Sequence, residues 1–179
     1  PMHLKVREQV FSEPACAYVG DRWFNMFSYE FLEGNAAGFN QHPFSIVITE
    51  SKANKYFGNQ SALGKIVRID TINYTVQAVI KNNPLNSSFQ FDVLINLAAR
   101  LADPQQAAND RNWGNFNYLT FVKLKPAVSK KAVVQKTREL IASKRDRDNM
   151  RVDLLPLRQM HFESDLQSSQ LQHGNRNTV

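Results

Sequence analysis

The chain has 179 residues, a hydrophobic fraction of 42% and a mean hydropathy of -0.43. That is enough apolar material for one sizeable core or two small ones and excludes a wholly disordered chain. No window approaches the roughly 18 continuous apolar residues of a membrane-spanning helix, and the opening PMHLKVREQVF lacks the apolar core of a signal peptide. The formal charge of +6 is concentrated in one place. Residues 123–158 hold 11 of the 22 Lys and Arg but only 4 of the 16 acids, net +7, which leaves the rest of the chain at −1. Any charge-driven partner argument from sequence therefore concerns that segment.

In chain order, ACAYVG predicts a short strand from Ala15 to Gly20, with Cys16 as a small buried residue. One cysteine excludes an internal disulfide and leaves the redox compartment open. Asp21 is placed to cap a helical turn through Trp23, Phe24 and Met26. Phe27 to Leu32 alternates, with Phe27, Tyr29 and Phe31 on one side of a predicted strand, and polar Asn35 to Pro43 reads as a loop. Phe44 to Ile48 is apolar apart from Ser45 and suits a strand buried on both faces. Thr49 or Ser51 then caps a helix whose Ala53, Tyr56 and Phe57 share one face, and Gly58 is its natural left-handed terminator.

Ile66 to Ile69 and Tyr74 to Ile80, joined by a polar turn, predict a β-hairpin. Lys81 to Ser88 is turn-rich, and Phe89 to Leu97 is a further strand with Phe91, Val93 and Ile95 on one face. A short helix to about Leu101 and a polar loop from Asp103 to Asn117 follow. Tyr118 to Leu124 predicts a strand, and Ser129 starts a helix to about Arg145 with Val133, Thr137, Leu140 and Ile141 on its core face. Arg151 to Leu155 predicts a last strand, so residues 118–160 read as a βαβ unit. There is no internal repeat.

Five blocks in this order carry a family likeness: AYVGDRWFNMFSYEFLEGN, IVITESKANKYFGNQSALGKIVRID, YTVQAVIKNNPLNSSFQFDVLI, NWGNFNYLTFVKLKPAVS and LLPLRQMHFESDL. Together they resemble the extracytoplasmic domain of MacB-like (FtsX-like) ABC transporter permeases of the Bacteroidetes type. The resemblance implies an α+β fold of two lobes standing outside the inner membrane. A β-rich, sabre-like lobe with its lead-in would occupy residues 1–117. A porter-like βαβ unit would occupy 118–160, and a polar tail from 161 to 179 would lead toward a transmembrane helix. Only a short segment precedes Tyr18, so the first half of the porter lobe is expected to be missing from this chain. That would leave an exposed sheet edge or apolar face open to self-association.

The resemblance further implies a non-catalytic part of a permease that passes ATP-driven motion of membrane helices to a substrate or partner outside, in export or efflux. ATP would sit on a separate cytoplasmic ABC ATPase subunit or domain. A dimer of permeases and a periplasmic partner protein would complete the assembly. The alternative is a self-contained soluble module that binds peptide, glycan or nucleic acid.

Chemistry-bearing motifs are sparse. There is no G-x-S-x-G elbow around Ser51, and Gly58 and Gly64 do not frame a phosphate loop. His161, Glu163 and Asp165 alternate, but no second ligand cluster supports them, and His3, His42 and His173 are scattered, so no metal site is expected. No catalytic or cofactor-binding residue is assigned. NWGNFNY interleaves aromatics and amides in a manner found on sugar- and peptide-binding surfaces, but Trp113 and Phe116 are expected to fold onto the core. The basic helix leaves Lys136, Lys144, Arg145 and Arg147 as candidates for partner or membrane-surface contact. The same helix has no aromatics to stack bases, which disfavours nucleic acid.

Overall fold

The computed structural model describes residues 1–115, 117–145 and 151–160. The chain forms two units, one from Pro1 to Asp103 and another that begins at Pro104. The boundary expected at 117/118 falls inside the second of these.

The first unit is built on a mixed eight-stranded sheet. β1 (Met2–Val6) and β2 (Gln9–Glu13) form an antiparallel hairpin in which Val6 faces Gln9. Its two-residue turn holds Arg7 at φ +54, the left-handed region that tight hairpin turns use. Sequence reading misses this hairpin. The Met-x-Leu-x-Val alternation is present, but the Arg-Glu turn lacks the Gly or Asn that marks such turns.

β3 (Cys16–Val19) runs parallel to β8 (Val93–Asn96), and β5 (Ser45–Thr49) lies between β8 and β7 (Ile72–Ile80). β6 (Ile66–Ile69) joins β7 to β1, so the order is β2-β1-β6-β7-β5-β8-β3. β4 (Phe31–Gly34) pairs with the far end of β7. All five residues of β5 and all four of β8 are buried, as a strand covered on both faces requires.

β7 changes face partway along. Ile46 pairs with Val76 but Val47 pairs with Ala78, which makes Gln77 an extra residue. One inserted residue moves everything after it to the opposite face. Tyr74 and Val76 accordingly join one core cluster, and Ala78 and Ile80 join the other. Beside the bulge Gly34 has φ +67, and a Cβ there would lie 2.1 Å from the Gln77 carbonyl oxygen. Only glycine fits that position.

Helix α3 (Glu50–Phe57) covers one face of the sheet, packing Ala53, Tyr56 and Phe57 onto Ile46, Ile48, Val76 and Ile95. Gly58 ends it at φ +63, as expected. Neither expected cap acts through its side chain. Thr49 holds the N-cap position, but its hydroxyl bonds Asp92, and the Asn82 side chain accepts from the Ser51 amide at 3.0 Å instead.

On the other face Phe39 is fully buried among Val47, Ile80 and Leu94. It belongs to α2 (Ala36–Gln41), a helix where a loop is expected. Asn35 caps it by accepting from the Gly38 amide at 3.0 Å. Gly38 therefore serves close packing and does not break the chain, since a Cβ there would come 3.2 Å from the Gln77 side chain. The helical turn α1 (Trp23–Met26) forms, but no side chain caps it, and Asp21 pairs with Arg22. Phe27 and Tyr29 are not in a strand either. They join an aromatic cluster in which Trp23 Nε1 donates to the Tyr29 hydroxyl at 3.2 Å and Phe24 meets the Phe31 and Phe39 rings edge-on. Ring contacts of this kind outweigh a strand pattern of only six residues. α4 (Leu97–Leu101) ends this unit, capped by Asn96.

The described part of the second unit holds only helices. These are α5 (Pro104–Asp110), α6 (Lys130–Ala142) and α7 (Leu157–Met160). α5 replaces part of an expected loop, with Pro104 at the first helical position, where its missing N–H costs nothing. Ser129 caps α6, accepting from the Ala132 amide at 3.1 Å. The strands expected at 118–124 and 151–155 do not form. β-propensity expresses a fit to a pleated, half-buried surface, and here Tyr118, Leu119, Val122 and Leu155 remain exposed. No residue of α6 is buried, and Leu140, expected on its core face, is half exposed.

Candidate functional site

Lys52, Lys55 and Asp92 gather around one buried acid of the first unit. Glu13, at the end of β2, is 1% exposed and takes Lys52 on one carboxylate oxygen and Lys55 on the other, at 2.5 and 2.6 Å. Lys52 and Lys55 reach it together because they lie three apart on α3 and share a face. Lys52 also pairs with Asp92 at 3.4 Å, and Asp92 accepts from the Thr49 hydroxyl. Burial pushes the Glu13 carboxyl up, but the hydrogen bonds from the two lysines outweigh it and hold its pKa below the ordinary value. Lys52 mirrors this: burial alone would lower it, and Glu13 and Asp92 raise it.

The cluster ties β2, α3 and the entry to β8 together, and its members neutralise one another. That is the chemistry of a clasp rather than of a reactive centre. Cys16 stands beside it, donating to the Glu13 carbonyl at 3.6 Å. Burial, reinforced by the Glu13 charge, pushes the thiol up to about 12, so it stays protonated at neutral pH. Among the described residues no group of three or more His, Cys, Asp and Glu could hold a metal ion. His3 lies in β1 and His42 follows α2, while His161, Glu163, Asp165 and His173 lie outside the described residues.

The sequence-predicted contact residues do not form a compact site. Lys136 and Lys144 are exposed on and just after α6. Arg145 donates to the Trp113 carbonyl at 3.1 Å, which commits it in part to structure. Arg147 lies outside the described residues. Lys130 pairs with Asp153 at 2.9 Å, and that hydrogen bond holds the Asp153 carboxyl below its ordinary value. Lys130 and Lys131 open α6, where the helix dipole disfavours cations, while Lys144 and Arg145 follow its C-cap Ser143, where the dipole favours them. Trp113 is 44% exposed and does not fold onto a core as expected, and Phe116 lies outside the described residues.

A second cationic group escapes sequence reading because its members are far apart in the chain. Lys5 and Arg7 from the β1–β2 hairpin meet Lys65 and Arg68 from the approach to β6 and β6 itself. They line an open cleft of about 450 Å³. The only available signal was the cross-strand register, which the sequence alone does not supply.

Among the described residues no helix is long and apolar enough to cross a membrane. No curated protein matches the sequence. Among solved structures, a domain assigned to a permease protein from Porphyromonas gingivalis superposes with a TM-score of 0.60 at 21% identity, covering 88% of this chain and 76% of that one. The periplasmic region of MacB from Actinobacillus actinomycetemcomitans gives a TM-score of 0.55 at 16% identity, with 79% of this chain matched to 62% of that one. At these identities the likeness is one of fold, and the chain spans less than two thirds of the MacB region. The sequence itself matches a family over residues 5–140, most of its length, including nearly all of the first unit and α5 and most of α6 in the second. The chain belongs to the MacB-like periplasmic core domain family, the periplasmic part of ABC transporter permeases.

Proposed function

We infer that this domain is a non-catalytic lever of an ABC permease, passing the ATP-driven motion of membrane helices to a substrate or partner outside the inner membrane. The family match over residues 5–140 carries the reading. The architecture suits it, because a sheet buried on both faces and clasped by the Glu13 ion network moves as one body rather than deforming. In this reading ATP is hydrolysed by a cytoplasmic ABC ATPase subunit or domain. The permease works as a dimer, and a periplasmic partner protein receives the motion or the cargo. The exposed Lys136 and Lys144 offer a surface for such a partner or for the membrane.

The decisive experiment inserts flexible Gly-Ser linkers at both junctions between this domain and the rest of the full-length permease. A lever loses coupling, so export falls to background while ATP hydrolysis continues. A self-contained binding module tolerates the linkers, and retained export would overturn the lever reading.

A further inference from the structure

β1 and β6 are paired over only two positions, Leu4 with Ile69 and Lys5 with Arg68. Past that point the strands part, and the cleft of about 450 Å³ opens where they separate. Four of its lining residues are cations, Lys5, Arg7, Lys65 and Arg68, and none is an acid. Glu8 pairs with Lys5 at 3.2 Å, and Arg68 Nε donates to the Asp70 backbone carbonyl in the adjoining turn. Its apolar lining is the half-exposed Ile66, beside the largely buried Val6 and Phe57.

Two features set this cleft apart from an ordinary solvated face. First, Lys5 and Arg68 stand directly opposite each other across the ladder. Directly opposed like charges weaken a strand pair; Glu8 offsets part of this at Lys5, and an anion shared with Arg68 would offset more. Second, the guanidinium groups are held in place from within. Arg7 donates to the Gln60 side chain and Arg68 Nε to the Asp70 carbonyl, each from one nitrogen. A fork anchored at one nitrogen presents its remaining donors in a set direction, which suits the two-point recognition of a phosphate. The volume lies within the range of small-molecule sites, about 300 to 1,000 Å³.

We propose that this cleft binds the phosphate headgroup of an anionic lipid, with the phosphate held by Lys5, Arg7, Lys65 and Arg68 and the start of the acyl chain resting on the half-exposed Ile66. Exposed apolar surface at Ile66 beside the cations distinguishes such an amphiphile from a free anion, which uses the cations alone. The proposal concerns binding by this chain and does not depend on how the domain is coupled to a permease.

The test uses the isotopically labelled 179-residue chain and dihexanoyl phosphatidic acid below its micelle-forming concentration. Amide resonances of Lys5 to Arg7, Lys65 to Arg68 and Asn73 shift together, with a dissociation constant below about 1 mM. Inorganic phosphate moves the same resonances at least about tenfold more weakly, and dihexanoyl phosphatidylcholine does not move them. Arg68→Glu weakens binding at least about tenfold yet raises Tm, because glutamate now faces Lys5 across the ladder. Lys65→Glu also loses binding while the spectrum stays that of the folded chain. A purely structural role for Arg68 moves both readings down together. The proposal fails if these resonances do not respond, if phosphate binds as tightly as the amphiphile, or if binding survives both variants. It also fails if binding is lost instead in the Lys136→Glu, Lys144→Glu double variant.

Discussion

The two units use apolar residues in opposite ways. In the sheet unit, β5 and β8 are buried at every position and two core clusters fill the two faces. Among the described residues from Pro104 onward, only Met160 is buried, while Trp113, Tyr118, Leu119, Val122 and Leu140 stay exposed. Both stretches are rich in β-branched and aromatic side chains. The difference is that β5 and β8 find partners on both edges, whereas the YLTFVKL segment forms no strand. Apolar content becomes stability only where other elements cover it.

The sharpest test of this contrast pairs two truncations. Ile48→Ala removes a fully buried side chain between β7 and β8 and is expected to cost about 2–5 kcal/mol by denaturant unfolding. Next in size is Glu13→Gln, which leaves two lysines without their shared carboxylate. Breaking a buried pair costs about 3–5 kcal/mol. Because Lys55 is 46% exposed and can turn to solvent, a loss near the lower end, about 3 kcal/mol, is expected.

The same carboxylate sets an acid limit. Its folded pKa lies below the ordinary 4.5, so its contribution is complete above that value and lost as pH falls through the folded value. Tm is therefore expected to drop on acidification below about pH 4.5 in the native chain, and more shallowly in Glu13→Gln. Equal slopes would mean that other carboxylates dominate.

Smaller effects belong to the helical unit. Ser129→Ala removes the cap of α6 and is expected to cost that helix about 1 kcal/mol, seen as faster amide exchange confined to its first turn. Leu140→Ala, at a half-exposed site, should cost less than about 1 kcal/mol. If it costs as much as Ile48→Ala, the helical unit has a core of its own and the contrast fails.

Much of the sheet unit was legible from sequence. β5 announces itself as a short apolar run, α3 by its Ala53, Tyr56 and Phe57 spacing, and Gly58 by its position after the last apolar residue. The failures have specific causes. Gly38 and the polar residues around it read as a loop, but Phe39 needed a helix to reach the core. The β1–β2 hairpin turns through Arg7 with no glycine to mark it. The strands expected beyond Asn117 relied on propensity alone, which does not form a ladder.

The sequence by itself determined the family, the α+β class and the placing of the basic helix, because these depend on the order and spacing of neighbouring residues. Tertiary structure alone decided the face switch at Gln77, the burial of Glu13 between two lysines, and the meeting of Lys5 and Arg7 with Lys65 and Arg68. Each depends on strand register between segments tens of residues apart, and register is set by the packing of a whole sheet face, not by any local pattern.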